Sequence, residues 1–377
     1  MPENARFTEQ EMNVMRRALA LAHKSVGQTF PNPVVGCVIT DPNGAVIGRG
    51  YHKFAGAPHA EIEALNSVKR DAKLTGCKLY VTLEPCNHHG RTPPCVPAII
   101  ESGVSEVIIA DKDPNPLVNG KGLRALKKAG VATRVGLLQK EARRLNEGYY
   151  CFHLQKRPFI TIKWAITIDG RSASISGSSK WISNESSRHY VHQLRSQSNA
   201  VLVGIGTVLT DNPSLNVRLP NYKGVQPFRV IFDGHLKSPL RCNCLNPEIG
   251  GKSVVVTTSL GMHEARVKRF RDLGVEVLLA KGERGMLDLN DCFAKLYDFG
   301  IQSVLVEGGL QLQTAMFEQL LVDKVVAFIA PKIIGGGSRV NPLEGWGIQE
   351  MQKAISLKDV KIELFEDDVC VEGYIER

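Results

Sequence analysis

Two α/β domains in tandem are expected along this 377-residue chain. Three observations predict them. Apolar, β-branched runs of strand length alternate with stretches of helical period, the pattern of strands covered by helices. The length exceeds what one ordinary core fills. A polar segment ending in proline, Gln155-Lys156-Arg157-Pro158, separates two such series. The domains are therefore set at 1–154 and 155–377.

In the first series, Thr8-Glu9-Gln10-Glu11 has capping-box spacing, and Met12, Met15, Leu19 and Ala22 follow at helical spacing. A helix over 8–25 is predicted. Pro31-Asn32-Pro33 breaks the chain, and Asn32 becomes a rigid loop amide. Strands at 34–40 and 45–50 flank the turn Asp41-Pro42-Asn43-Gly44. A helix starts at His59, with Ile62, Leu65 and Val68 on one face. Strands at 78–83, 106–110 and 131–135 then alternate with helices at 95–100, 122–129 and 140–154, a three-layer α/β/α arrangement. In the second series strands are expected at 159–166, 199–203, 228–233, 253–258, 275–280 and 303–306. Helices are expected from a Ser183 cap through Gln197 and near 262–273, 289–299 and 310–321. An apolar run, 324–330, and an antiparallel addition close the chain.

Composition excludes several classes. No apolar run approaches the ~18 residues of a membrane span. The opening MPENARFTEQE lacks an apolar signal region, so a cytoplasmic protein is expected. Nine scattered cysteines suit a reducing compartment. Cys242-Asn243-Cys244 is read as a pair of inert thiols. The net charge of +9 is spread out, with no basic stripe. That argues against a nucleic-acid partner and suits small phosphorylated substrates. A homo-oligomer is expected.

The chemistry concentrates in His59-Ala60-Glu61 and Pro85-Cys86-Asn87-His88-His89-Gly90-Arg91-Thr92-Pro93-Pro94-Cys95. One imidazole and two thiols fill three corners of a tetrahedral zinc site and leave the fourth open, the mark of catalytic zinc. Glu61 need not be a ligand and suits a proton carrier. This is the signature of zinc deaminases. A closed structural site is the competing interpretation; paired C-x2-C spacing, its usual mark, is lacking. His88 and His89 are read as solvated loop residues, with a fourth-ligand role as the alternative.

Most zinc deaminases place two residues between the thiols; this chain has eight. With Thr82-Leu83-Glu84-Pro85-Cys86 before that loop and Asp113-Pro114-Asn115-Pro116 after it, residues 10–150 resemble the deaminase domain of the bifunctional riboflavin-biosynthesis family. The resemblance implies a cytidine-deaminase-like fold, one Zn2+ per chain, and hydrolytic removal of an amine from a phosphoribosylated diaminopyrimidinone. It implies zinc ligation by His59, Cys86 and Cys95, proton transfer by Glu61, and substrate contact by Asn32, His52 and Arg91.

Two glycine sites follow strands in the second half. Gly204-Ile205-Gly206 lacks the third glycine of a dinucleotide fingerprint, since Leu209 stands there. Glu307-Gly308-Gly309, before an apolar helix, offers backbone N–H groups to a pyrophosphate, or is a plain strand-to-helix turn. Together with 163–171, 177–183, 194–198 and 206–218, it resembles the reductase domain of the same family over about 155–370. That domain is similar to dihydrofolate reductase in fold and uses NADPH. The resemblance implies cofactor contacts by Ala165, Trp181, Thr207, Asp211, Gly309, Leu310, Gln311, Leu312, Gln313, Thr314 and Ala315. It implies substrate contacts by Ser179, Arg195, Leu215, Arg218 and Glu307, with Arg195 and Arg218 suited to gripping a phosphate. The sequence shows no obvious protein acid for the reductive step: Lys163 or Asp211 is able to contribute, and binding and orientation by the site are the alternative source of catalysis. The rival functions are an RNA- or DNA-editing deaminase and a zinc-stabilised binding protein.

Overall fold

Thr8 caps the first helix as its spacing predicts: its Oγ1 accepts from Glu11 N, and Glu11 Oε2 accepts from Thr8 N. The structure is a computed structural model describing residues 7–69, 72–90, 92–178, 180–335, 341–343 and 345–376. It divides into two units, Met1–Lys156 and Arg157–Arg377.

The first unit runs α1 (Glu9–His23), β1 (Gly36–Thr40), β2 (Val46–Tyr51), α2 (Ala60–Asn66), β3 (Lys78–Val81), α3 (Cys95–Ser102), β4 (Glu106–Ile109), α4 (Lys121–Lys128), β5 (Ala132–Val135), α5 (Gln139–Leu145) and α6 (Glu147–Gln155). The sheet order is β2-β1-β3-β4-β5. The β1 pairings are antiparallel, and β3, β4 and β5 are parallel. Side chains alternate across it with a period of two. Cys37, Ile39, Leu79, Val81, Val107 and Ile109 pack with α2, α3 and α4. Val38, Tyr80 and Ile108 pack with Val14, Met15, Ala18 and Leu19 of α1 and Ala142 of α5. Helices thus cover both faces. Gly50 lets α2 lie directly on β2, since a Cβ there would come within 2.4 Å of Ala64 N.

The predicted helix over 140–154 is two helices. Asn146 leaves helical geometry at φ −121°, ψ 25°. Its buried amide donates to Val34 O and accepts from Val34 N, at 2.9 and 2.8 Å. A partner 112 residues away sets that break.

Glu11 has a second role. It takes up Arg134 and Lys78 from neighbouring strands. Burial raises its carboxyl, but the Arg134 hydrogen bond, the Thr8 N–H and the Arg134 charge prevail and lower it from 4.5 to about 2. A carboxylate with a depressed folded pKa stabilises the fold above its unfolded value and loses that contribution as pH falls. Between pH 4.5 and about 2, the melting temperature of the wild type is therefore expected to fall more steeply than that of Glu11→Gln. Parallel melting curves across that window would contradict this.

The second unit runs β6 (Phe159–Thr167), α7 (Glu185–Gln197), β7 (Ala200–Gly204), α8 (Ile205–Asp211), β8 (Phe228–Phe232), β9 (Ser253–Thr257), α9 (Glu264–Asp272), β10 (Glu276–Leu279), β11 (Gly282–Glu283), β12 (Met286–Leu287), α10 (Leu289–Asp298), β13 (Ser303–Val306), α11 (Leu310–Glu318), β14 (Lys324–Ala330), β15 (Leu357–Phe365) and β16 (Asp368–Ile375). The large sheet has the order β10-β9-β8-β7-β13-β6-β14-β16-β15. It is parallel from β10 to β14, and β16 and β15 add antiparallel, as expected near the C-terminus. Ile160, Ile162, Leu202, Val230, Val254 and Val304 face one core. Val201, Val203, Ile231 and Val255 face another on the opposite side.

One further local expectation needs correction. Asn184, rather than Ser183, caps α7, accepting from Ser187 N at 2.8 Å. The G-x-G after β7 opens a short helix, α8. The 240–252 segment has a structural use: Arg229, fully buried, donates to Asn243 O, Asn246 O and Gly251 O and staples it down. Cys242 and Cys244 lie in this segment, both buried, with their sulfurs 3.4 Å apart. No helix among the described residues is long and apolar enough to cross a membrane.

Candidate active sites

The β3 strand ends one turn before Cys86, so its C-terminal edge delivers the first thiol. Cys86 O then accepts from Cys95 N and Val96 N, which closes the intervening loop and starts α3 at Cys95. His59 stands at the N-cap of α2. The three candidate ligands meet: His59 Nδ1 is 3.4 Å from Cys86 Sγ and 3.2 Å from Cys95 Sγ. All three ligand atoms lie within 4.8 Å of one another. A tetrahedral zinc with nitrogen at about 2.0 Å and sulfur at about 2.3 Å needs about 3.5 Å between them, so the donor set fits in type and spacing. Among the described residues no fourth His, Cys, Asp or Glu joins the cluster.

Glu61, in the first turn of α2, is 3% exposed. Burial, then the Cys86 charge, pushes its carboxyl up to about 7. A cation on the three ligands would oppose both causes. Behind it, Glu84 is buried and fully occupied, accepting from Asp113 N, Gly120 N and Leu123 N. It ties the 113–120 segment to the strand end that bears Cys86. Gly122 completes that seam, since a Cβ there would meet Pro85 O at 2.0 Å.

A cavity of about 180 Å³ opens on this cluster. Asn32 and His52 line it with His59, Glu61 and Cys86. His52 is buried, and burial lowers its pKa, so it is neutral at pH 7. Its Nδ1–H donates to Pro58 O at 3.2 Å, which leaves Nε2 to accept from Asn32 Nδ2 at 3.1 Å. Arg91 lies outside the described residues. The cavity is also lined by His88, read from the sequence as a solvated loop residue, by Asp113 and Asn115 of the DPNP motif, to which the sequence assigned no site role, and by Tyr149, which was not singled out. His88 Nδ1 is buried without a partner, which departs from its expected solvated state. Asp113 accepts from Asn115 N and Tyr149 OH, yet burial raises its carboxyl to about 6. The DPNP motif that contains Asp113 and Asn115 was the available signal.

In the second unit the ends of β7 and β13, adjacent in the sheet, bring Thr207 against Gly308 and Gly309. Gly308 has φ +148°, and a Cβ there would lie 3.1 Å from Thr207 Oγ1, so the close approach requires glycine. Gly309 precedes α11, whose first turn carries Leu310, Gln311 and Leu312. Gln313 and Thr314 are buried, Gln313 donating to Lys163 O at 3.4 Å, and Ala315 is half-buried. Ala165 is half-buried in β6, and Asp211 is exposed at the end of α8. Trp181 is 65% exposed, with the Arg188 guanidinium 4.4 Å from its ring centre. Ser179 lies outside the described residues.

Arg195 is engaged within the protein. Its Nε and Nη2 fork Glu307 at 2.5 and 2.8 Å, and Nη1 donates to Asn216 O at 2.9 Å. The planar face suited to a phosphate is thus occupied by a carboxylate. Arg218 is exposed and donates to Asn216 Oδ1 at 2.8 Å. Leu215, buried at φ +56°, shapes the backbone between them. Lys163 sits on β6 beside Glu307 of the β13 end; burial lowers its pKa against the pull of Glu307.

The model of the RibD C-terminal domain matches residues 158–371, more than half the chain. The chain belongs to the RibD family. A second model, the cytidine and deoxycytidylate deaminase zinc-binding region, matches residues 8–111. The riboflavin biosynthesis protein RibD of Actinobacillus pleuropneumoniae is 43% identical over 99% of this chain and 97% of its own. Acinetobacter baumannii RibD superimposes with a TM-score of 0.87 at 34% identity, covering 98% of this chain and 99% of that one. The deaminase/reductase from Thermotoga maritima, named for diaminohydroxyphosphoribosylaminopyrimidine and 5-amino-6-(5-phosphoribosylamino)uracil, gives 0.85 at 35% identity over 97% and 99%. As a RibD-family protein the chain is a bifunctional enzyme of riboflavin biosynthesis. A zinc-binding deaminase domain precedes an NADPH-dependent reductase domain.

Proposed function

We propose that this enzyme removes the 2-amino group of 2,5-diamino-6-(5-phosphoribosylamino)pyrimidin-4-one and then reduces the ribosyl chain of the product to ribityl. The observation that carries the reading is the His59, Cys86, Cys95 cluster with Glu61 beside it, at the mouth of a cavity of nucleobase size. Zinc held by these three residues would supply Lewis acidity, lowering the pKa of water toward neutrality. Glu61 accepts the proton of the incoming water and passes it to the ring nitrogen and then to the departing amine. The C–N bond breaks and ammonia leaves. Asn32 and His52 contact the ribosyl side, and neutral His52 does so without adding charge. Arg91, outside the described residues, is kept as a substrate contact on the family resemblance alone.

In the second unit bound NADPH would supply the hydride for C1 of the ribose as the C1–O bond of the sugar ring breaks. Thr207, Gly309 and the first turn of α11 bind the cofactor, with Ala165, Trp181, Asp211 and the remainder of Gly309–Ala315 completing the surface. Ser179, Leu215 and Arg218 hold the phosphorylated substrate. Glu307, kept ionised by Arg195, orients the sugar hydroxyls. The burial of Lys163 beside Glu307 supports it as the acid for the ring oxygen, and the exposure of Asp211 counts against that alternative. The free thiols suit a cytoplasmic setting. Exposed Val360, Ile362 and Leu364 on the edge strand β15 support a homo-oligomer.

The test supplies the phosphorylated diaminopyrimidinone to the full chain, with and without NADPH. Ammonia release is expected in both cases, and NADPH oxidation is expected to follow it. NADPH consumption that precedes ammonia would reverse the order, and no ammonia at all would remove the substrate assignment.

A further inference from the structure

We propose that Thr92 is the positioning residue for His59, and that the long loop between the two thiols serves to bring it there. The inference rests on the zinc reading of the first site.

The geometry is direct. His59 Nδ1 faces both sulfurs, at 3.4 and 3.2 Å, while Nε2 on the far side of the ring lies 3.0 Å from Thr92 Oγ1. An imidazole that ligates through Nδ1 carries its proton on Nε2, and that N–H needs an acceptor. The Thr92 hydroxyl is that acceptor. No other hydrogen bond to the His59 ring nitrogens is seen among the described residues, and at the N-cap its side chain makes no capping bond. The other ring nearby, His52, meets His59 edge-on with centroids 5.2 Å apart and has both of its own nitrogens engaged. Ring orientation therefore depends on one hydroxyl.

The sequence explains how that hydroxyl arrives. With two residues between the thiols, the chain would pass straight from one ligand to the next. Eight residues let it leave Cys86, turn, and come back along the imidazole. Gly90 N donates to Thr92 O at 3.2 Å, and the Cys95 and Val96 N–H groups donate to Cys86 O. Pro93 and Pro94 then stiffen the descent into α3. Thr92 itself is half-buried. Outer hydrogen bonds of this kind fix the tautomer and orientation of a metal-bound histidine, and their loss typically costs about 10–100-fold in metal affinity.

The test compares the full chain with Thr92→Val, which keeps the shape and removes the hydroxyl, and Thr92→Ser, which restores it. Each is stripped of metal and titrated with zinc against a chromophoric chelator, and with cobalt while its visible absorption is recorded. Expected are one zinc per wild-type chain, affinity about 10–100-fold weaker with an altered cobalt spectrum in Thr92→Val, and near-wild-type behaviour in Thr92→Ser. Zinc affinity and cobalt spectrum unchanged in Thr92→Val would overturn the proposal, as would equal losses in both variants, which would indicate loop packing rather than the hydroxyl. A wild-type chain that takes up no zinc would instead remove the reading on which the proposal stands.

Discussion

Glu61→Gln is expected to retain its zinc and to release ammonia about 10²–10⁴-fold more slowly, the usual contribution of a positioned acid–base group. The substitution preserves volume and hydrogen bonding but not proton transfer. Other carboxyls near the cavity cannot readily substitute. Glu84 is held by three backbone N–H groups, and Asp113 by Asn115 N and the Tyr149 hydroxyl. Glu61 accordingly has no competitor of equal freedom among these carboxyls. Metal content and ammonia release measured on the same preparation check this. A variant with full zinc and turnover within a fewfold of wild type would take the proton-carrying role away from Glu61.

The second large effect concerns Arg195 and Glu307. Their bidentate pair is buried, with side chains 11% and 8% exposed. Breaking such a pair from one side leaves an uncompensated charge in the interior and costs about 3–5 kcal/mol. Arg195→Ala should therefore lower the melting temperature of the second unit by roughly 10 °C, given about 2–4 °C per kcal/mol for a domain of this size. Removing both charges with apolar residues of similar volume should recover much of that loss, because the desolvation penalty disappears with the pair. NADPH oxidation should remain absent in the double variant if Glu307 orients the sugar as proposed. Calorimetry of the two variants checks the first part, and an NADPH assay the second. Melting of Arg195→Ala at the wild-type temperature would mean that the pair is relaxed in solution.

Much of the architecture was legible because it is local. The alternation of Cys37, Val38 and Ile39 between two cores is a period-two signal, and the Thr8 cap is a four-residue pattern. The metal set was legible because its residue types and spacing are constrained by coordination chemistry, and the family resemblance has its counterpart in the RibD matches. What escaped is set by partners distant in the chain. The helix break at Asn146 depends on Val34, and the use of Arg195 depends on Glu307, each 112 residues away. Periodicity carries no trace of either. His88 and Tyr149 reach the cavity through the folding of a loop and a helix whose local sequences say only loop and helix. The one-residue error at Ser183 has a different origin: Ser and Asn are both good caps, and only the bond to Ser187 N distinguishes them.

X-ray absorption at the zinc edge of the metal-loaded full chain tests the open corner most directly. The expected shell is one imidazole nitrogen at about 2.0 Å, two sulfurs at about 2.3 Å and one non-protein oxygen. A shell completed by a second imidazole or a third sulfur would contradict it and turn the centre into a structural one.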